Sequence, residues 1–217
     1  MWNTTRIVMR GLTAGRPWCV AALMALVSGM VGVCEAPGAG QAQAARLEGQ
    51  HFEDTVVVGD RTLQLNGLGL RGVAWIKAFV AGLYVAAPSR DPGQLMAMQG
   101  PKRLRLKLML EAPSKELSKA ISKGVRRNES PAVQSQLSER MALFVGLVDG
   151  LGTLKQGDAL DLDFVPGVGA QLLRNGKPVG APVEGEDFFR AILKIFIGDR
   201  PVDQRLKEGM LRGRSAP

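Results

Sequence analysis

From residue 45 onward, apolar and polar positions fall into two strand blocks, each followed by helices. Residues 52–58 read as a strand, Gly59-Asp60 is a turn signal, and residues 61–65 resume the strand. Asn66-Gly67-Leu68-Gly69 predicts a break, after which 70–76 can form a further strand with Trp75 in the core. Residues 79–87 are almost all apolar, which suits a strand covered on both faces, and Pro88 ends it. A short helix is expected over 92–98.

Residues 103–110 carry the sharpest alternation in the chain. Leu104, Leu106, Leu108 and Leu110 point one way, while Arg103, Arg105 and Lys107 point the other. Ser114 can cap a helix with Leu117, Ile121 and Val125 spaced four apart. Ser130-Pro131 opens a second helix whose stripe is Val133, Leu137, Met141, Phe144 and Val148. Gly157-Asp158 turns the chain into a second strand block at 160–165, 170–173 and 177–183. Asn175-Gly176 is the hairpin signal, because both residues tolerate positive φ. A broad apolar helix follows from Phe188 to Gly198, and Asp199-Arg200-Pro201 predicts the start of a last helix carrying Val202, Leu206 and Met210.

Strands segregated from helices in this way argue for an α+β fold built on a largely antiparallel sheet. Neither the phosphate-binding loop nor the G-x-G-x-x-G dinucleotide pattern is present, so the usual nucleotide signals are missing.

Composition narrows the chemistry. The 217 residues include one histidine, His51, and two cysteines, Cys19 and Cys34, which excludes His-dense or thiolate metal sites and Cys-x-x-Cys redox pairs. No metal or cofactor is expected. Glu184, Glu186 and Asp187 cluster at a helix start, where they offset the dipole.

The first 44 residues read as a secretory signal. Arg6, Arg10 and Arg16 precede an apolar run from 18 to 33, and Ala42-Gln43-Ala44 is a cleavage signal. Cleavage after Ala44 predicts an exported, periplasmic or secreted chain with one domain over 45–217 and no cysteine. The charge excess of that part is local. Residues 102–127 hold nine Lys and Arg, from Lys102 to Arg127, against Glu111 and Glu116. In an exported protein such a segment suits anionic lipid head groups or an acidic small ligand better than nucleic acid, or it is simply a solvated basic face.

Four stretches, in this order and spacing, resemble the chalcone isomerase-like family in its bacterial exported branch. They are Leu65-Asn66-Gly67-Leu68-Gly69-Leu70-Arg71; Phe79-Val80-Ala81-Gly82-Leu83-Tyr84; Gly157-Asp158 with Arg174-Asn175-Gly176-Lys177; and Gly198-Asp199-Arg200-Pro201-Val202 with Leu206-Lys207-Glu208-Gly209. The resemblance implies an open-faced β-sandwich, a large antiparallel sheet with a layer of helices. It also implies that Arg71 sits in a cleft between them. There it would clamp a phenolate or enolate in an isomerase, or a carboxylate in a fatty-acid-binding relative. A guanidinium stays charged in such a cleft and offers a planar fork to an oxyanion. Without the resemblance, Arg71 is a surface arginine beside a turn.

The remaining isomerase pattern carries over poorly. Its strand hydroxyl falls at Phe79, its helix tyrosine near Leu117 and its amide near Gly124 or at Asn128. A late hydroxyl falls near Gly185. Tyr84, the one tyrosine, belongs on the face opposite Phe79. A missing hydroxyl or oxyanion donor typically costs about 10²–10³ in rate. The favoured reading is therefore a binding protein for a small amphipathic or phenolic anion such as a fatty acid. Arg71, Phe79, Leu117, Ile121 and Asn128 are its candidate site, with Val125 beside them. An intramolecular lyase using Arg71, and docking to an anionic membrane or partner through 102–127, are the alternatives.

Overall fold

The computed structural model describes residues 45–73 and 75–213, and the expected leader with its cleavage point lies outside the described residues. The first block holds β1 (Ala45–Leu47), β2 (Gln50–Phe52), β3 (Thr55–Val58), β4 (Arg61–Val73) and β5 (Ile76–Val85). After α1 (Pro92–Ala97) come β6 (Lys102–Leu108), β7 (Ala112–Pro113), α2 (Ser114–Asn128) and α3 (Pro131–Asp149). The second block is β8 (Thr153–Leu154), β9 (Ala159–Val165), β10 (Gly169–Arg174) and β11 (Lys177–Pro178), followed by α4 (Glu186–Ile197) and α5 (Gln204–Leu211).

Seven strands form one antiparallel sheet in the order β11-β10-β9-β6-β5-β4-β3. The main core lies between one face of this sheet and the helices. Ala81, Leu83, Leu104, Leu106, Leu108, Leu160, Leu162 and Phe164 supply its sheet side, and α2, α3, α4 and α5 supply the other. A smaller core on the opposite face gathers Phe52, Val58, Leu63, Leu65, Val80 and Tyr84, with Ala45 and Leu47 of the β1–β2 hairpin packed on it. The α+β arrangement inferred from the strand and helix pattern is the one observed.

Several local expectations need correcting. Asn66-Gly67-Leu68-Gly69 does not break the chain. β4 runs on through it with a bulge between Leu65 and Gly67, and Gly67 and Gly69 pair with Leu83 and Ala81 on the helix-facing side. These glycines let α5 lie directly on the strand. A Cβ at Gly67 would stand 2.6 Å from the Met210 carbonyl oxygen, and one at Gly69 would overlap that of Leu206. Buried Asn66 completes the contact by donating to Met210 O at 2.8 Å and accepting from Ser89 N at 2.7 Å.

Trp75 is not in the core. Trp75 stands 89% exposed beside the last pair of the β4–β5 hairpin, Val73 with Ile76. Ser114 is the first residue of α2, which follows Pro113 at the cap with no side-chain cap bond, and its hydroxyl donates to Asp149 O at 3.0 Å. The last helix starts later than expected, capped by Asp203.

Residues 102–127 do not form one free basic face. The strand half is neutralised within the fold: β6 lies beside β9 with Arg103 opposite Asp163 and Arg105 opposite Asp161. Arg103 makes two bonds to Asp163, Arg105 two to Asp161, and Arg105 also reaches Glu53 at 2.6 Å. Lys107 donates to His51 O. Lys102 turns inward, donates to Met98 O and stands 3.7 Å from Glu186, and burial pushes its pKa down. Only the α2 cations of the segment, such as Lys115, Lys123 and Arg126, face outward.

Candidate functional site

Arg71 lies one residue before the second irregularity of β4. Its cross-strand partner is Phe79 of β5, which in turn pairs with Leu108 of β6. Directly paired residues share a face, so Arg71, Phe79 and Leu108 make one row across the helix-facing side. The sequence supplies this by alternation: Gly67, Gly69 and Arg71 point toward the helices, Leu68 and Leu70 away.

The guanidinium is one-quarter exposed and already holds a carboxylate. Its Nη1 donates to Asp203 Oδ2 at 3.0 Å and, more weakly, to Gly72 O at 3.3 Å. Asp203 divides its labour. Its Oδ1 accepts from the backbone N–H of Arg205 at 2.8 Å and of Leu206 at 3.1 Å, which caps α5. Asp203 was not singled out from the sequence, because the last helix was expected to begin earlier.

Phe79 packs edge-on against Phe196 of α4, with ring centroids 6.5 Å apart. Phe196, Leu117 and Ile121 line one apolar void of about 30 Å³ with Phe144, Val148 and Ile192. Two of the expected site residues, Leu117 and Ile121, thus meet at the void, and Phe79 reaches it only through Phe196. The void holds about one water's share of volume, while ligand pockets of drug-sized molecules run to about 300–1,000 Å³. As folded, the bed between sheet and helices is closed.

Asn128 lies away from Arg71 and Phe79 in the bonding network, at the C-terminal end of α2. It ends α2, donates to Gly124 O at 3.0 Å and Arg200 O at 2.9 Å, and accepts from Arg200 N at 3.1 Å. Its amide therefore ties α2 to the loop that leads to Asp203. Arg127 to Pro201 O and Lys207 to Gly198 O hold the same loop. Tyr84 is fully buried on the opposite face, as alternation predicts, with Arg105 beside its ring, and burial pushes its phenol pKa up.

A second, open cleft of about 930 Å³ runs along the far part of β4. Leu68, Leu70, Trp75 and Ile76 form much of its apolar wall, and Asp203, Arg205 and Arg212 its polar side. β3 covers only Arg61 to Gln64 of β4, so the backbone from Leu68 to Gly72 borders this cleft as a sheet edge.

Comparison with protein families matches residues 44–212 to the chalcone isomerase-like family. Comparison with curated protein sequences finds no match. Among solved structures, the fold is similar to that of an Arabidopsis thaliana fatty-acid binding protein at a TM-score of 0.61. The two are 19% identical, over 78% of this chain and 96% of that one.

Proposed function

We propose that this chain, which belongs to the chalcone isomerase-like family, binds a fatty acid or a similar amphipathic anion without turning it over. The observation that carries the reading is the row Arg71–Phe79, with a guanidinium at the rim and an apolar bed behind it. Arg71 holds a carboxylate now, that of Asp203, and a ligand carboxylate presents the same planar pair of oxygens. Binding would exchange one carboxylate for the other. The tail would part the Phe79–Phe196 contact and spread over Leu117 and Ile121. The similar fold of a fatty-acid binding protein supports the reading. So does the chemistry around Arg71, since neither Phe79 nor Leu117 offers the hydroxyl that an enolate-forming site would use to move a proton.

Export belongs to the same proposal. A chain with a leader over 1–44 would act in the periplasm or outside the cell, where free fatty acids and envelope lipids are within reach. Cell fractionation with the intact mass of the exported form tests that part, and a mass that still includes residues 1–44 would contradict cleavage.

Native mass spectrometry of the purified protein beside Arg71→Gln tests the binding. A co-purified acyl anion on the wild type and none on the variant is the expected pair of results. An empty wild type that also fails to take up added hexadecanoate would contradict it.

A further inference from the structure

The most exposed large apolar side chains of the β4–β5 hairpin stand together at its tip. Trp75 is 89% exposed and its neighbour Ile76 52%. Both line the open cleft, with Leu47, Leu68 and Leu70 continuing the apolar surface inward. Across the same cleft stand exposed Arg205 of α5 and exposed Arg212 just after that helix, and exposed Arg90 shares a groove with Arg212. Of the acids nearby, Asp203 is paired with Arg71 and Glu48 with Lys77, while Glu208 is exposed and bonded only to the neutral Gln204 amide. The surface is therefore an aromatic and aliphatic tip beside three arginines opposed by one unpaired acid, Glu208, which leaves an excess of positive charge.

Tryptophan favours the boundary between headgroups and hydrocarbon, where an apolar ring and a polar N–H are both accommodated. Arginines set beside such a tip add attraction to anionic headgroups, worth about 1 kcal/mol each near the surface. From this juxtaposition we propose that the hairpin tip and the flank of α5 dock this protein onto an anionic bilayer. Trp75 and Ile76 enter the interface, and Arg90, Arg205 and Arg212 meet the headgroups. This face is separate from residues 102–127, whose strand arginines Arg103 and Arg105 are paired with Asp163, Asp161 and Glu53. It does not depend on the fatty-acid reading, because a bilayer can be bound whether or not the interior bed opens.

The test uses the full chain with Trp2→Phe and Trp18→Phe, which leaves Trp75 as the sole tryptophan. Vesicles of phosphatidylcholine, with and without phosphatidylglycerol, carry brominated acyl chains that quench an inserted indole. The expected result is a blue-shifted, quenched Trp75 emission on phosphatidylglycerol vesicles that reverses as salt is raised. Arg205→Gln combined with Arg212→Gln should weaken that binding about 25-fold, roughly fivefold for each lost cation. Emission that stays unquenched while the protein sediments with the vesicles overturns the proposal, since the chain is then held by another part. Quenching that is equal on pure phosphatidylcholine and indifferent to the two substitutions also overturns it, because the arginines then play no part.

Discussion

The Arg71 guanidinium lies 3.0 Å from Oδ2 of Asp203, while the other oxygen of that carboxylate caps α5. On the proposed reading this one residue would compete with a ligand for the clamp, and it holds the helix that closes against β4. Asp203→Asn separates the two roles, since asparagine caps a helix about as well as aspartate but carries no charge. We expect Asp203→Asn to bind long-chain carboxylates roughly tenfold tighter, in line with removing a charge-assisted competitor. Its stability should stay within about 1 kcal/mol of wild type. Fatty-acid titration beside thermal unfolding checks both, and weaker binding by a well-folded variant would count against the exchange.

The contact between β4 and α5 predicts a steep glycine dependence. Gly69→Ala must push the backbone of α5 off the strand, and we expect a loss of about 3 kcal/mol or more, at the high end for single substitutions. Gly146, in α3, has nothing within 4 Å of where its Cβ would be. There alanine should stabilise by about 0.5–1 kcal/mol through helix propensity. Urea unfolding of the two variants reads the difference.

The charged ladder on the other face predicts a large cost for Asp161→Ala. Asp161 is nearly fully buried and binds Arg105 at 2.7 Å and 3.0 Å. Removing it strands most of a buried guanidinium, which typically costs about 3–5 kcal/mol, eased here by the exposed Glu53. A loss below about 1 kcal/mol by urea unfolding would mean that Glu53 replaces it.

Acid sensitivity should reside partly in Asp158. Burial raises its pKa, but the Asn175 amide, the Lys155 N–H and the Arg174 guanidinium outweigh that and hold it below the usual aspartate value. A carboxyl depressed on folding contributes stability that is complete above its unfolded pKa and vanishes as pH falls through the folded value. Asp158→Asn should therefore cost most at neutral pH, with the gap to wild type closing below about pH 4. Unfolding curves across pH 2.5 to 7, on the order of that carboxylate range, check it.

Much of this architecture is legible in the chain because its signals are local. The alternation of residues 103–108 fixes both faces of β6, and Asn175 and Gly176 adopt the positive φ of 51° and 77° that the hairpin demands. What was misread depends on distant partners. Gly67-Leu68-Gly69 looks the same whether it breaks a strand or admits a helix against it, and the helix comes more than 130 residues later. The basic run on β6 looks free until β9 is laid beside it. Yet Asp161-x-Asp163 alternates with the same period as Arg103-x-Arg105, and matching the two would have revealed the ladder. Of the candidate site, Arg71 and Phe79 come from the family resemblance and Leu117 and Ile121 from the helical stripe, and the structure shows only that the first two are cross-strand partners and the last two border one void. Asp203 was not legible, because its role depends on where α5 begins.

The most direct test of the central claim compares hexadecanoate with hexadecanol on wild type and on Arg71→Gln. The tails are alike and only the head carries charge. If Arg71 clamps the carboxylate, wild type prefers the acid by about 10-fold or more, the worth of a hydrogen bond to a charged group, and Arg71→Gln binds both equally. An unchanged preference in Arg71→Gln would contradict the account and move the recognition of the head group elsewhere on the protein.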